Sequence, residues 1–67
     1  MTIPEHIRAS RKAAGLTQRQ LGEACGYEGR SAERVVQLWE SGSQPVPIER
    51  LRRLAAALNI PLDSLIP

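Results

Sequence analysis

The sequence predicts an all-α fold, a compact bundle of about five short helices forming one domain over residues 1–67. Three observations carry this. No segment alternates apolar and polar residues with the period of two that a half-buried strand requires. Apolar residues instead recur at three- and four-residue spacings in separate stretches, the signature of helices with one buried face. Gly, Pro and Asn stand where those helices should begin or end.

Size and composition narrow the means of stabilisation. A chain of 67 residues buries only about 60% of the surface its unfolded form exposes, so tight helix packing or a partner must hold it. The single cysteine, Cys25, has no disulfide partner, and one cysteine with one histidine, His6, makes no zinc site. Cys25 is expected to be a small core residue rather than a nucleophile. Nine basic residues against seven acidic ones give a net charge of +2, too mild an excess to indicate a nucleic-acid ligand. The kind of base says more, because eight of the nine are Arg, whose fork suits phosphate and guanine. No apolar run approaches membrane-spanning length, and Pro4, Glu5, His6 and Arg8 interrupt any signal-peptide pattern, so the expected location is the cytosol.

The first helix is expected to start at Pro4, whose missing N–H costs nothing in a first turn, with Glu5 favouring the helix dipole. Ile7, Arg11 and Ala14 then share the inward face, and Gly15 is the stop. Arg11 on a core-facing stripe demands a carboxylate from elsewhere, because an unpaired buried charge is very costly.

Thr17-Gln18-Arg19-Gln20 fits a capping box that opens the second helix. Its inward stripe is Leu21, Ala24 and Cys25. Gly22 in mid-helix costs about 1 kcal/mol relative to Ala, a cost explained if another helix crosses too closely for a Cβ. Gly26 is expected to end this helix in the left-handed conformation.

Residues 27–30 form a connection, after which Ser31 or Gly29 is the N-cap of the third helix. Ala32, Val36 and Trp39, flanked by Val35, define its buried stripe. Arg30, Glu33, Arg34, Gln37 and Ser41 form a continuous polar stripe on the opposite side. Ser41-Gly42 ends the helix.

Two prolines keep 43–47 out of helix, and Pro47 starts the fourth helix. Ile48, Leu51, Leu54, Ala55 and Leu58 make its apolar face, with Glu49, Arg50, Arg52 and Arg53 outside or at its edges. Asn59 is the expected C-cap. Pro61 opens a last turn whose Leu62, Leu65 and Ile66 close the core.

The helix–Gly–helix unit, about residues 17–41, carries the functional signal. In a helix-turn-helix the second helix of the unit lies in the major groove while the first crosses the phosphate backbone. Thr17 and Gln18 would then meet a phosphate, and Arg30, Glu33, Arg34 and Gln37 would face base edges. Arg suits guanine, Gln suits adenine, and Glu can accept from cytosine N4. The bland reading of the same stripe is a solvated face with Arg30–Glu33 as an intrahelical ion pair.

The run LTQRQLGEACG, then VVQLWESG, then IERLRRLAAALNIPLDSLI resembles the lambda-repressor-like (Cro/C1-type) helix-turn-helix family of phage and bacterial repressors. The resemblance extends from about Ile7 to Ile66. It rests on Leu16-Thr17-Gln18, a small residue at Gly22, Gly26 in the turn, Trp39-Glu40-x-Gly42, and the tail from Leu54 to Leu65. It implies a structural pair between Arg11 and Glu40, which answers the demand Arg11 made and also orients Arg11 towards a phosphate. Gly22, Gly26, Val36, Trp39 and Glu40 take structural positions in that pattern. Thr17, Gln18, Arg11 and Ser41 take phosphate-facing ones.

One departure stands out. The family usually has about four fewer residues between the turn glycine and the buried aliphatic residue, here Gly26 and Val36. The extra residues lengthen either the reading helix or the connection. Counting back from Trp39-Glu40 puts Glu33 and Arg34 at the first base-reading positions. Leu38 falls where many relatives carry a polar contact, and either touches a thymine methyl or borders the core.

The expectation is therefore a sequence-specific double-stranded DNA-binding regulator, a Cro-like phage or prophage repressor acting in the bacterial cytosol or nucleoid. It would bind a near-palindromic operator as a homodimer, because one reading helix covers only a few base pairs. The 44–48 loop and Leu62 to Ile66 are the candidate dimer residues. No enzyme activity, metal, cofactor, small-molecule ligand or membrane is expected: there is no phosphate loop, and His6 lacks partners for catalysis. The alternative is a protein-interaction module of the same fold, such as an autoregulating antitoxin. That role would call for an added exposed apolar segment, and the chain ends at Pro67 with little to spare.

Overall fold

Hydroxyl side chains set the first two helix starts. Thr2 and Glu5 form one capping box and Thr17 and Gln20 another, each satisfying amides that a helix N-terminus leaves free. The Thr17 hydroxyl accepts from the Gln20 amide at 3.0 Å, and the Gln20 side chain accepts from the Thr17 amide at 2.8 Å. A computed structural model describes residues 1–66. Its elements are α1 (Ile3–Ala13), α2 (Gln18–Ala24), α3 (Gly29–Ser41) and α4 (Ile48–Leu58), then a single 3-10 turn over Leu62–Leu65. The described residues contain no strand, and the fifth helix of the expected bundle is that one turn.

The core is one cluster drawn from every element: Ile7, Leu21, Cys25, Val36, Trp39, Leu54, Ala55, Leu58 and Leu65. Trp39, the largest of them, is fully buried near the C-terminal end of α3, with Tyr27 meeting its ring edge-on at 5.8 Å. Burial pushes the Cys25 thiol up to about 11, against the opposing pull of the nearby Arg50 and Arg53 charges. Its proton is thus held more tightly in the folded state, so this site's contribution to stability persists below about pH 9 and is lost as pH rises through 11. Iodoacetamide at neutral pH should therefore label Cys25 only at the rate of global opening, and rapid labelling of the native protein would contradict this placement.

Several expectations change. Ala14 is the C-cap of α1 and lies past its last buried turn, while Ala24 closes α2 beside a buried line that runs through Leu21 and Cys25, and both alanines are exposed. Ile48 is 85% exposed and Ile66 50% exposed, although both were expected in the core. Ile48 is the first residue of α4 and Ile66 lies just beyond the last turn, where no other element covers them. The N-cap of α3 is Glu28, neither Ser31 nor Gly29. The connection between α2 and α3 is four residues, 25–28, and α3 then runs 13 residues from Gly29. Asn59 does cap α4, in the left-handed conformation at φ 55°.

Candidate nucleic-acid interface

The close approach of α2 and α3 starts from Gly22. A Cβ built there would overlap the Ala32 carbonyl oxygen and lie 2.5 Å from its carbon and 2.6 Å from its Cα. Only glycine lets the two backbones cross at that point. The turn between the helices runs through Gly26 at φ +99°. Arg50 of α4 braces it, donating from Nη1 to the Cys25 carbonyl at 2.9 Å while its guanidinium stacks 4.7 Å from the centre of the Tyr27 ring.

At the other end of the unit, Arg11 of α1 and Glu40 of α3 form a two-pronged pair. Arg11 Nε donates to Glu40 Oε2 at 2.6 Å and Nη2 donates to Oε1 at 3.3 Å. Their side chains are only 12% and 6% exposed. Arg11 Nη1 also donates to the Leu16 carbonyl at 3.0 Å, tying the α1–α2 connection to the same knot. The network continues outward: Gln18 Nε2 donates to Glu40 Oε1 at 3.2 Å, and Gln37 Nε2 donates to Gln18 Oε1 at 3.4 Å. A partly buried charge pair thus fixes the angle between α1, α2 and α3, and a chain of amides carries that order to the surface.

The surface these helices share is polar. Arg8, Arg11, Gln18, Gln37, Glu40 and Ser41 line a cleft of about 260 Å³. Arg8 was not among the expected site residues. Its signal was available, because it precedes Arg11 by three positions and so sits one turn away on α1. Along α3, Arg30, Glu33, Arg34, Gln37 and Ser41 are all exposed, whereas Ala32, Val36 and Trp39 are buried on the other side. Leu38 is half-buried at the border between the two faces. The two ion pairs among the described residues are Arg11–Glu40 and Arg19–Glu23, so the Arg30–Glu33 pair of the bland reading does not form and both side chains are free.

With 13 residues, α3 is the longest helix and about 20 Å long. Its polar stripe from Arg30 to Gln37 extends about 10 Å. No side chain caps its N-terminus, which leaves the first-turn amides and the positive end of the helix dipole unopposed. The capping box of α2 leaves the Gln18 and Arg19 amides in the same condition.

These features together give two helices locked at a fixed crossing, one presenting Arg, Glu and Gln along its outer face, the other offering an N-terminus beside Arg8 and Arg11. Among the described residues no helix is long and apolar enough to cross a membrane. No curated protein and no solved structure matches the chain. The helix-turn-helix family profile matches residues 7–65, the whole of the frame just described. The chain belongs to the lambda-repressor-like, Cro/C1-type helix-turn-helix family, and is a DNA-binding helix-turn-helix regulator.

Proposed function

We propose that this regulator is a sequence-specific repressor of Cro-like, phage or prophage type, working in the bacterial cytosol or nucleoid on a near-palindromic operator as a homodimer. The observation that carries the proposal is the division of α3 into a buried stripe and an exposed polar stripe of reading-competent side chains. Inserted into a major groove about 12 Å wide, such a helix brings Arg34, Glu33 and Gln37 to the base edges, with Arg30 one turn closer to its N-terminus. Arg34 is assigned to guanine O6 and N7, Gln37 to adenine, and Glu33 to a cytosine amino group. Leu38 borders this face and contacts a thymine methyl.

Phosphates hold the register. Thr17 and Gln18 stand at the start of α2, where free amides meet a phosphate, while Arg11, Arg8 and Ser41 flank the cleft beside it. The hydrogen bond from Gln37 to Gln18 links a reading residue to a positioning one, which lowers the entropy lost when both contact DNA.

The test is Arg34→Ala. Arg34 is exposed, so the fold should be untouched, while affinity for the operator should fall by about 1–3 kcal/mol with relaxed preference at one base pair. An equal loss on random DNA would reduce Arg34 to a phosphate contact and remove the specificity claim.

A further inference from the structure

Positive charge gathers at a place the reading stripe does not use, the turn between α2 and α3. Arg50 and Arg53 stand one helical turn apart on α4 and share a face, and both reach over Gly26. A Cβ built on Gly26 would lie 2.6 Å from Nη1 of Arg50 and 2.6 Å from Nη1 of Arg53. The two nitrogens are thus held within about 5 Å of each other, a separation at which like charges repel. Nothing acidic offsets this: among the described residues the ion pairs are Arg11–Glu40 and Arg19–Glu23. The carbonyls that end α2 do not call for two cations either. Those of Leu21, Gly22 and Glu23 already accept from the amides of Cys25, Tyr27 and Gly26 respectively. Arg50 spends one donor on the Cys25 carbonyl, and among the described residues Arg53 donates no hydrogen bond.

We propose that Arg50 and Arg53 form a binding site for a phosphate group, gripped between the two guanidinium edges in front of Gly26. The planar forks of two arginines match the oxygens of a phosphate, and an anion between them replaces mutual repulsion with attraction to both. Arg50 is already ordered by its bond to Cys25 and by its stack on Tyr27, which lowers the entropy lost on binding. Arg53 is exposed and free to close. The bland role, a cation at the negative end of α2, accounts for Arg50 but not for a second guanidinium brought up beside it. The site precedes the start of α3, whereas the cleft of Arg8, Arg11 and Gln18 lies beside Gln37 and Ser41, towards the other end of that helix. The phosphate comes either from a stretch of DNA backbone away from that cleft or from a free phosphate ion. Recognition is the same chemistry in both cases, so the site does not depend on the DNA-reading function.

The test begins with a titration of the wild-type chain with sodium phosphate, against sodium chloride at equal ionic strength. It is followed by the amide NMR signals of Gly26 and Tyr27 and the Nε–H signals of Arg50 and Arg53. Saturable shifts confined to the phosphate series are expected, and Arg53→Gln should abolish them. The thermal midpoint of this variant in chloride should be no lower than that of the wild type, because Arg53 is exposed and its loss relieves repulsion. Arg52→Gln removes the same charge from an exposed neighbour on α4 and should titrate as the wild type does. The second arm is the salt dependence of binding to random duplex DNA. A slope shallower by about one in Arg53→Gln assigns the phosphate to the DNA backbone. An unchanged slope beside a lost phosphate titration assigns it to the free ion. An Arg53→Gln chain that matches the wild type in both titration and slope would overturn the proposal, as would an Arg52→Gln chain that loses as much as Arg53→Gln. A wild-type chain that bound no DNA but kept the phosphate titration would strike the function and leave this site standing.

Discussion

Glu40→Ala is expected to destabilise the protein by about 3–5 kcal/mol, because it strands the Arg11 guanidinium in a site that leaves it 12% exposed. A chain of 67 residues has a total stability of only about 3–10 kcal/mol, so this one substitution consumes much of it. The thermal midpoint should fall by at least about 12 °C. The loss is more than one ion pair, since Glu40 also accepts from Gln18, which in turn accepts from Gln37. Replacing both partners, as Arg11→Met with Glu40→Leu, should recover much of the stability because no charge is then left unpaired. That double variant should still bind DNA poorly, having lost the order passed to Gln18. An unchanged midpoint for Glu40→Ala would show that Arg11 finds water and that the pair does not set the helix angle.

Gly22→Ala is the second large effect. In an exposed helix this change would gain about 1 kcal/mol of helix propensity. Here the new methyl group meets backbone atoms of Ala32 rather than a side chain that could turn away. The two helices must separate, and overpacking of this kind costs about 1–3 kcal/mol or more. Ala32→Gly in the same chain should therefore rescue nothing, since the obstructing atoms are main-chain atoms that glycine retains. Operator affinity should fall further than stability alone explains, because separating α2 from α3 moves Gln18 away from the phosphate while α3 stays in the groove. A Gly22→Ala protein at least as stable as the wild type would contradict the close crossing.

Much of this was legible in the residues. Helical spacing placed Ala32, Val36 and Trp39 inside and the polar stripe outside, because a half-buried helix divides its faces by sequence period alone. Arg11 announced a carboxylate through the cost of an unpaired charge, and the family resemblance indicated which one. Thr2 shows a signal present but unread: Thr2 and Glu5 stand three apart, the same pattern that was read at Thr17 and Gln20. Ile48 and Ile66 could not have been placed by periodicity, since it gives the direction of a side chain and says nothing of whether another element reaches that far. The N-terminus of α3 was ambiguous for a related reason. Glu28 makes no side-chain capping bond, so the usual chemical mark of a helix start is absent. Arg50 was readable only as an edge residue, because its stack on Tyr27 and its bond to Cys25 join positions more than 20 residues apart.

The fit of α3 to a DNA groove is tested most directly by selecting bound sites from random double-stranded DNA at a fixed salt concentration near 0.15 M, then measuring affinity for the selected and the random sequences. The expected result is a near-palindromic consensus bound about 10³-fold or more above random DNA. Affinity for both should fall steeply as salt rises, and Arg34→Ala should lose preference at one position in each half-site. Equal binding to selected and random sequences, or no binding at that salt, would contradict the assignment of Arg30, Glu33, Arg34 and Gln37 as the reading face.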